Sequence, residues 1–312
     1  NGDSYQKAAP QARLRTNRQD SKVLPSIRAA IEAVGFRDGM TVSFHHHFRE
    51  GDYVVNMVMK ELVDMGFKDI TIAASSLGQA HDPVAEYIEH GIVTGIQTSG
   101  IRGKMGEVVS QGKLKPPAIL RSHGGRVRAI EEGEVHIDVA FIGAPTSDVM
   151  GNARGKGGKS DCGVLGYSEV DARYADHVVV ITDCLVDFPN FPPSIQATYV
   201  DHVVVVDEIG NPAKIASSAA RFSTDPRDLL MAEYCAKVIE ATPYFKDGFS
   251  FQTGAGGPSL AANRFLEPIL VKHGYKLSWI IGGITAPAVD LLNKGLVDAV
   301  IDTQDFDIAA VE

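Results

Sequence analysis

Cysteine is scarce in this chain, and the little there is has no pattern. Cys162, Cys184 and Cys235 are odd in number and show neither C-x-x-C nor any other zinc spacing. That argues against a disulfide framework and fits the reduced thiols of a cytoplasmic protein. Long apolar runs are missing too. No stretch approaches the roughly 18 residues of a membrane span, and no secretory signal pattern is present, so no membrane association is expected. Short-period repeats and low-complexity tracts are absent. Positive charge is in deficit: 30 Lys and Arg against 39 Asp and Glu leave a net charge of −9. Generic nucleic-acid binding, which needs a basic footprint, is therefore excluded as an expectation. Basic side chains must be used locally, in loops.

What remains is an ordinary soluble composition, 44% hydrophobic and 22% charged over 312 residues. Such a chain can bury a sizeable core in two α/β domains or one large one. Residues 1–22 are polar and basic without periodicity and are expected to form a mobile N-terminal arm. From Leu24 onward helical and strand-like segments alternate. Helices are expected over 24–34, 53–65, 83–90 and 225–241, with another opening near Gly103. Strands are expected over 40–44, 70–74, 93–97, 118–121, 135–142, 177–182 and 202–207. Repeated βα units of this length predict a mainly parallel sheet covered on both faces. The Pro-rich stretch Asp187-Phe-Pro-Asn-Phe-Pro-Pro193 reads as an irregular loop. Thr242-Pro-Tyr-Phe-Lys-Asp-Gly248 is the expected boundary between a first domain over 23–242 and a second over 243–312.

The most informative stretch is Thr41-Val-Ser-Phe-His-His-His-Phe-Arg-Glu-Gly-Asp52. Three histidines and an arginine lie between a strand-like run and an amphipathic helix, where open α/β sheets present loops to ligands. Imidazole and guanidinium together suit an anionic, multi-carboxylate ligand, while packing or surface histidines are the plainer reading. Similar loops of small residues with an occasional cation follow other strands: Ser75-Ser76, Ser99-Gly-Ile-Arg-Gly103, Arg121-Ser-His-Gly-Gly125 and Gly151-Asn-Ala-Arg-Gly155. Their glycines and serines let backbone N–H groups approach an anion or an acyl group. In extended backbone His45 and His47 share a face, but a third ligand such as His81 or His123 has no support from spacing, so no metal site is expected. Gly151-Asn-Ala-Arg-Gly-Lys-Gly-Gly-Lys-Ser160 ends like a P-loop, yet Ala153 stands where its first glycine belongs, which argues against a nucleotidase. Farther along, Phe251-Gln-Thr-Gly-Ala-Gly-Gly-Pro-Ser259 and Ile281-Gly-Gly-Ile-Thr285 offer backbone cradles for an oxyanion or phosphate, or are simply tight strand-to-helix turns.

At these strings the chain resembles the family of citrate lyase α subunits, the citrate CoA-transferase component of that complex. The resemblance runs from about Ser21 to the last residue. It is carried by Asp38-Gly-Met-Thr-Val-Ser-Phe-His-His-His-Phe-Arg-Glu-Gly-Asp52, Thr98-Ser-Gly-Ile-Arg-Gly103, Ser122-His-Gly-Gly-Arg126, Ile137-Asp-Val-Ala-Phe-Ile-Gly143, Phe251-Gln-Thr-Gly-Ala-Gly-Gly257 and Gly282-Gly-Ile-Thr285. Asp138-Val-Ala-Phe-Ile142 followed by Gly151-Asn152 is also similar to the wider CoA-transferase family.

The resemblance implies an α/β fold of two related open, mainly parallel sheet domains, the second incomplete because relatives continue beyond the position of Glu312. It implies a CoA-transferase that exchanges the acetate of an acetyl thioester, on acetyl-CoA or on the CoA-like prosthetic group of an acyl carrier protein, for citrate. No tightly bound cofactor or metal is implied in this subunit. The implied partners are the β (citryl lyase) and γ (acyl carrier protein) subunits, with a homo-oligomeric arrangement. On this reading His45, His46, His47, Arg49, Ser75, Ser76, Ser99, Arg102, His123 and Asn152 meet citrate. Gly254, Ala255, Gly256, Gly257, Gly282 and Gly283 meet the thioester or its oxyanion. No protein nucleophile is assigned. An acyl-CoA hydrolase on the same fold and a non-catalytic organising subunit stay open as alternatives.

Overall fold

The structure, a computed structural model, describes residues 21–217, 223–254 and 256–312. They form two compact units. The first comprises the described residues up to Asp161 together with 167–215, and the second comprises 162–166 and the described residues from 216 onward.

The first unit is built on eleven strands: β1 (Val23–Leu24), β2 (Thr41–Phe44), β3 (Ile70–Ala74), β4 (Val93–Thr98), β5 (Ile119–Leu120), β6 (Val139–Ala144), β7 (Thr146–Asp148), β8 (Ala153–Arg154), β9 (His177–Thr182), β10 (Leu185–Val186) and β11 (His202–Val205). Eight of them make one sheet in the order β1-β11-β9-β6-β2-β3-β4-β5, and every pairing in it is parallel. Strands β7, β8 and β10 form a small separate sheet. All six residues of β6 and the last five of β9 are buried, as expected of strands covered on both faces.

The parallel order has a functional consequence. From β2 the chain steps outward through β3, β4 and β5, then returns to the other side of β2 to place β6, β9 and β11. The carboxyl ends of β2 and β6 are thus the topological switch point, where open α/β sheets leave a crevice for ligands. Phe44 and Phe141, one from each of these strands, stack at 6.1 Å beneath it. The helix Val54–Asp64 turns Val54, Val55, Val58, Met59 and Leu62 into the core, an apolar stripe at helical spacing.

Several expectations need correction. Residues 1–20 of the expected arm lie outside the described residues. Lys22, assigned to that mobile arm, is instead buried, and its ammonium donates to the carbonyls of Ala197 and Val200 at 2.7 Å each. The helix expected over 24–34 is shortened to Ile27–Ala33, because Val23–Leu24 pairs with β11 as an edge strand. The units divide at Ile215 rather than at 242–248. Helix Pro226–Glu240 belongs to the second unit, where its Ala232 packs with Ala261 and Ala262. Small side chains on both helices allow that close approach.

The second unit contains a three-stranded parallel sheet, β12 (Phe249–Phe251), β13 (Leu277–Ile284) and β14 (Val297–Asp305), with helices Gly257–His273 and Ala286–Asn293. Leu266, Leu270, Leu277, Ile280, Ile284 and Leu291 form its core. Both units are thus built on open, mainly parallel sheets, as expected. No helix among the described residues is long and apolar enough to cross a membrane.

Gly143 near the end of β6 marks how closely the histidine loop lies on the sheet. A Cβ there would sit 2.4 Å from the Phe48 ring and 2.9 Å from Val54 Cγ2. Gly143→Ala is therefore expected to lower the unfolding free energy by about 1–3 kcal/mol through overpacking, measured by chemical denaturation.

Candidate functional site at the carboxyl edge of the sheet

Parallel pairing sends the loops after β2, β3, β4, β5 and β6 to the same edge of the sheet. The loop after β2 leaves the strand at Phe44 and turns at His47–Phe48, with Arg49 N donating to the His46 carbonyl at 2.9 Å, and its three histidines point to two sides. His45 and His47 turn inward, both buried, with rings 6.0 Å apart. His46 turns the other way and stays half-buried, where Nδ1 meets Ser75 Oγ at 2.6 Å. His123, the first residue of helix His123–Glu131, stacks on His46 at 5.2 Å, and Tyr167 stacks on His123 at 4.9 Å.

Beneath the loop lies a buried charge network. Arg126 donates two parallel hydrogen bonds to Asp171, at 2.8 and 2.6 Å, and a third at 3.0 Å to the Ala73 carbonyl of β3. His45 Nε2 lies 3.0 Å from the same carboxylate, without hydrogen-bond alignment. Burial works against the charge of Asp171. Arg126 and His45 overcome it and hold the carboxyl well below the usual range. On the other side, His47 Nε2 meets the Gly143 carbonyl at 2.9 Å, joining the ends of β2 and β6.

The same loop is fastened to its neighbours. Asp52 accepts from Val54 N and Val55 N at the head of the helix that follows, and from His81 Nε2 at 3.0 Å. The His81 Nδ1 accepts the Gly78 N–H at 3.1 Å, so its hydrogen is on Nε2. Glu50 accepts from Ala80 N at 2.9 Å. Arg49 stands at φ 53°, the left-handed region, and its guanidinium donates to the Ile215 carbonyl at 3.0 Å. Arg49 is thus engaged in holding the loop's shape.

The other expected site residues fall into distinct settings. Ser76 donates weakly, at 3.4 Å, to the Gly100 carbonyl beside Ser99, whose buried hydroxyl has no hydrogen-bond partner among the described residues. Arg102 is exposed and caps helix Gly103–Ser110. Asn152 is used up structurally: its amide nitrogen donates to Asp148 at 2.8 Å, and its amide oxygen accepts from Ala197 N at 3.0 Å. The expected site set did not include Arg126, Asp171 or Tyr167. Arg126 stood in the string Ser122-His-Gly-Gly-Arg126, but nothing in the sequence linked it to Asp171, 45 positions on.

In the second unit Gly254, Gly256 and Gly257 line the turn into helix Gly257–His273, with Gly256 at its cap. Ala255 lies outside the described residues. Gly282 and Gly283 have packing reasons to be glycine. A Cβ would meet Gln252 Nε2 at 2.6 Å from the first and the Phe306 ring at 2.0 Å from the second. A His/Asp group close enough to share an ion, His136, Asp138 and Asp176, sits at the amino ends of β6 and β9, opposite the histidine loop.

A family model for the citrate lyase alpha subunit matches residues 20–312. The chain belongs to that family. The citrate lyase alpha chain of Klebsiella pneumoniae is 50% identical over 292 residues, covering 94% of this chain and 58% of that one. A crystal structure of the provisionally named citrate lyase alpha subunit from Streptococcus mutans, in complex with citrate, is 52% identical. It superposes with a TM-score of 0.95 over 100% of this chain and 61% of that one. The malonate decarboxylase alpha subunit of Acinetobacter baumannii, 18% identical with a TM-score of 0.68 over 92% of this chain and 52% of that one, shares the fold. The chain spans about three-fifths of the length of the curated citrate lyase alpha chains it matches.

The electrostatics revise one expectation about the loop. Burial, then the neighbouring His123 and the two flanking histidines, push His46 down to about 3. Burial, then His45, push His47 down to about 4. His123 is lowered by burial and by Arg126. These three rings are neutral near pH 7, so they offer directed hydrogen bonds rather than positive charge.

Two outcomes follow for stability. Arg126→Met would leave Asp171 buried without its bidentate partner and should lower the unfolding free energy by about 3–5 kcal/mol in denaturant titrations. In the unfolded chain His47 takes a proton near its ordinary 6.5, but in the folded chain only near 4. The unfolded state therefore binds more protons between those values, and stability is lost as pH falls from about 6.5 toward 4. His47→Gln should flatten that slope by up to about 1.4 kcal/mol per pH unit, read from denaturation midpoints across this range.

Proposed function

We propose that the whole protein of which this chain is part exchanges the acetyl group of an acyl-carrier-protein or CoA thioester for citrate, giving citryl thioester and acetate. The observation that carries this reading is the histidine loop, with His123 stacked on His46, at the switch point of a citrate lyase alpha-subunit chain. The relative from Streptococcus mutans, described in complex with citrate, supports the choice of acceptor.

In the exchange a citrate carboxylate oxygen attacks the thioester carbonyl carbon. The C–S bond breaks, leaving a mixed acetic–citric anhydride and a thiolate. The thiolate then attacks the citryl carbonyl carbon and releases acetate. No side chain need act as nucleophile. The protein's part is positioning and stabilisation of developing charge.

On this reading His46 and His123 donate to citrate carboxylates, with Ser99 and the exposed Arg102 beside them at the same edge. Arg102 supplies the formal charge that the neutral rings lack. Arg49 is assigned to the loop's shape, and Asn152 to the small sheet. The N–H groups of Gly254, Gly256 and Gly257 are assigned to the thioester oxyanion or to the pantetheine-like carrier. Lyase and carrier-protein subunits are the proposed partners, and the cytoplasm the proposed setting.

Mass spectrometry of the full-length protein with acetyl-CoA and citrate is expected to show citryl-CoA and free acetate. Thioester loss that proceeds equally without citrate would instead indicate a hydrolase. Partner binding with no exchange would indicate an organising subunit. His123→Ala should raise the citrate requirement about 3–10-fold, the weight of one neutral hydrogen bond, with little change for acetyl-CoA.

A further inference from the structure

The Ser75 hydroxyl meets His46 twice. Ser75 directly follows β3, is 1% exposed, and lies beside Phe44, whose carbonyl accepts its backbone N–H at 3.1 Å. Its Oγ accepts the backbone N–H of His46 at 3.1 Å and lies 2.6 Å from His46 Nδ1. A serine hydroxyl has one hydrogen and two acceptor positions, and a neutral imidazole has one donor nitrogen and one acceptor nitrogen.

Only one arrangement of hydrogens satisfies the buried Ser75 hydroxyl. The His46 N–H already occupies one acceptor position of Oγ. If Nδ1 carried the ring hydrogen, it would take the second position. The hydroxyl hydrogen of a buried serine would then have no acceptor among the described residues, and an unmet buried donor is costly. If Nδ1 is the acceptor, the hydroxyl donates to it and the serine is fully satisfied. The short 2.6 Å separation suits that O–H···N bond. The ring hydrogen then resides on Nε2.

We propose that Ser75 is a positioning residue that holds His46 in the Nε2–H tautomer, so that the ring serves the crevice as a neutral hydrogen-bond donor. Ser75 was expected to touch the ligand itself; the geometry gives it this indirect role instead. Its ligand consequence rests on the citrate reading above. The ionised carboxylates of citrate are acceptors only, so a donor nitrogen attracts them while a lone pair in the same place repels them. His46 is kept neutral by burial and the adjoining imidazoles, which makes the choice of tautomer decisive. The near-parallel stack on His123, 12° between ring planes, fixes the plane in which that donor points.

The tautomer can be read directly on the full-length protein labelled with ¹⁵N-histidine, with the His46 signals assigned by their loss in His46→Gln. Multiple-bond ¹H–¹⁵N correlation near pH 7 is expected to show Nδ1 unprotonated and Nε2 protonated. A protonated Nδ1 would overturn the proposal. Ser75→Ala should shift His46 toward a mixture of tautomers, whereas Ser75→Thr, which keeps a hydroxyl, should retain the original signals. An unchanged tautomer in Ser75→Ala would also refute the assignment. Where the tautomer shifts, the KM for citrate should rise about 3–10-fold, with the KM for acetyl-CoA within about twofold and with rescue by Ser75→Thr. A shifted tautomer with unchanged citrate KM would uphold Ser75 as the determinant and overturn the citrate reading of the crevice.

Discussion

The site depends on one buried ion pair. Arg126 and Asp171 come from helices His123–Glu131 and Ser168–Tyr174, and their bidentate contact lies where β3 ends and the histidine loop begins. The remaining donor capacity of Arg126 is spent on the Ala73 carbonyl, and Asp171 stands against His45. Four segments that meet nowhere else in sequence are therefore held to one another at the carboxyl edge. Hydrophobic packing is non-directional and could not set the angle of the loop. A planar guanidinium paired with a carboxylate can. The desolvation of both charges means that the pair contributes geometry more surely than net stability.

Above that pair, on the proposed reading, the site works by hydrogen-bond direction. Three of its imidazoles are neutral, and the titrations of His46 and His47 lie far below the physiological range. A crevice filled with histidinium would bind any anion and lose it as pH rose. One built from neutral rings, each tied by a serine hydroxyl, a backbone carbonyl or a stacked neighbour, distinguishes anions by where their oxygens lie. In that proposal formal charge is left to Arg102, since a guanidinium stays protonated across this pH range.

Much of the first unit was legible. The runs 70–74 and 177–182 appear as strands with the same bounds, because buried parallel strands need uninterrupted apolar, β-branched residues. The proline after Asp225 announced the helix Pro226–Glu240, and Asp225 does cap it, accepting from Arg227 N at 2.7 Å. The histidine loop was visible because composition so unusual stands out at a strand end. What could not be read were contacts made by sheet order. His46 meets Ser75 because β2 and β3 are neighbours, and His123 reaches the same place by way of β5 and a helix. Nothing in the sequence marked Asp171; only the fold sets it against Arg126. The expected domain break failed for a related reason. Pro and Gly at 242–248 mark a turn, but whether a turn divides domains depends on what the preceding helix packs against.

The fastening of the loop over residues 45–52 has an entropic consequence. Glu50, Asp52, Arg49 and His46 each tie it to a different neighbour, so its conformational freedom was surrendered when the protein folded. A ligand arriving at this edge meets a template that does not have to be ordered on contact, and little of its binding energy is diverted to that end. Rigidity of this kind favours fast capture of molecules that already fit. If the proposed carboxylate ligand binds here, the same rigidity would penalise near-misses.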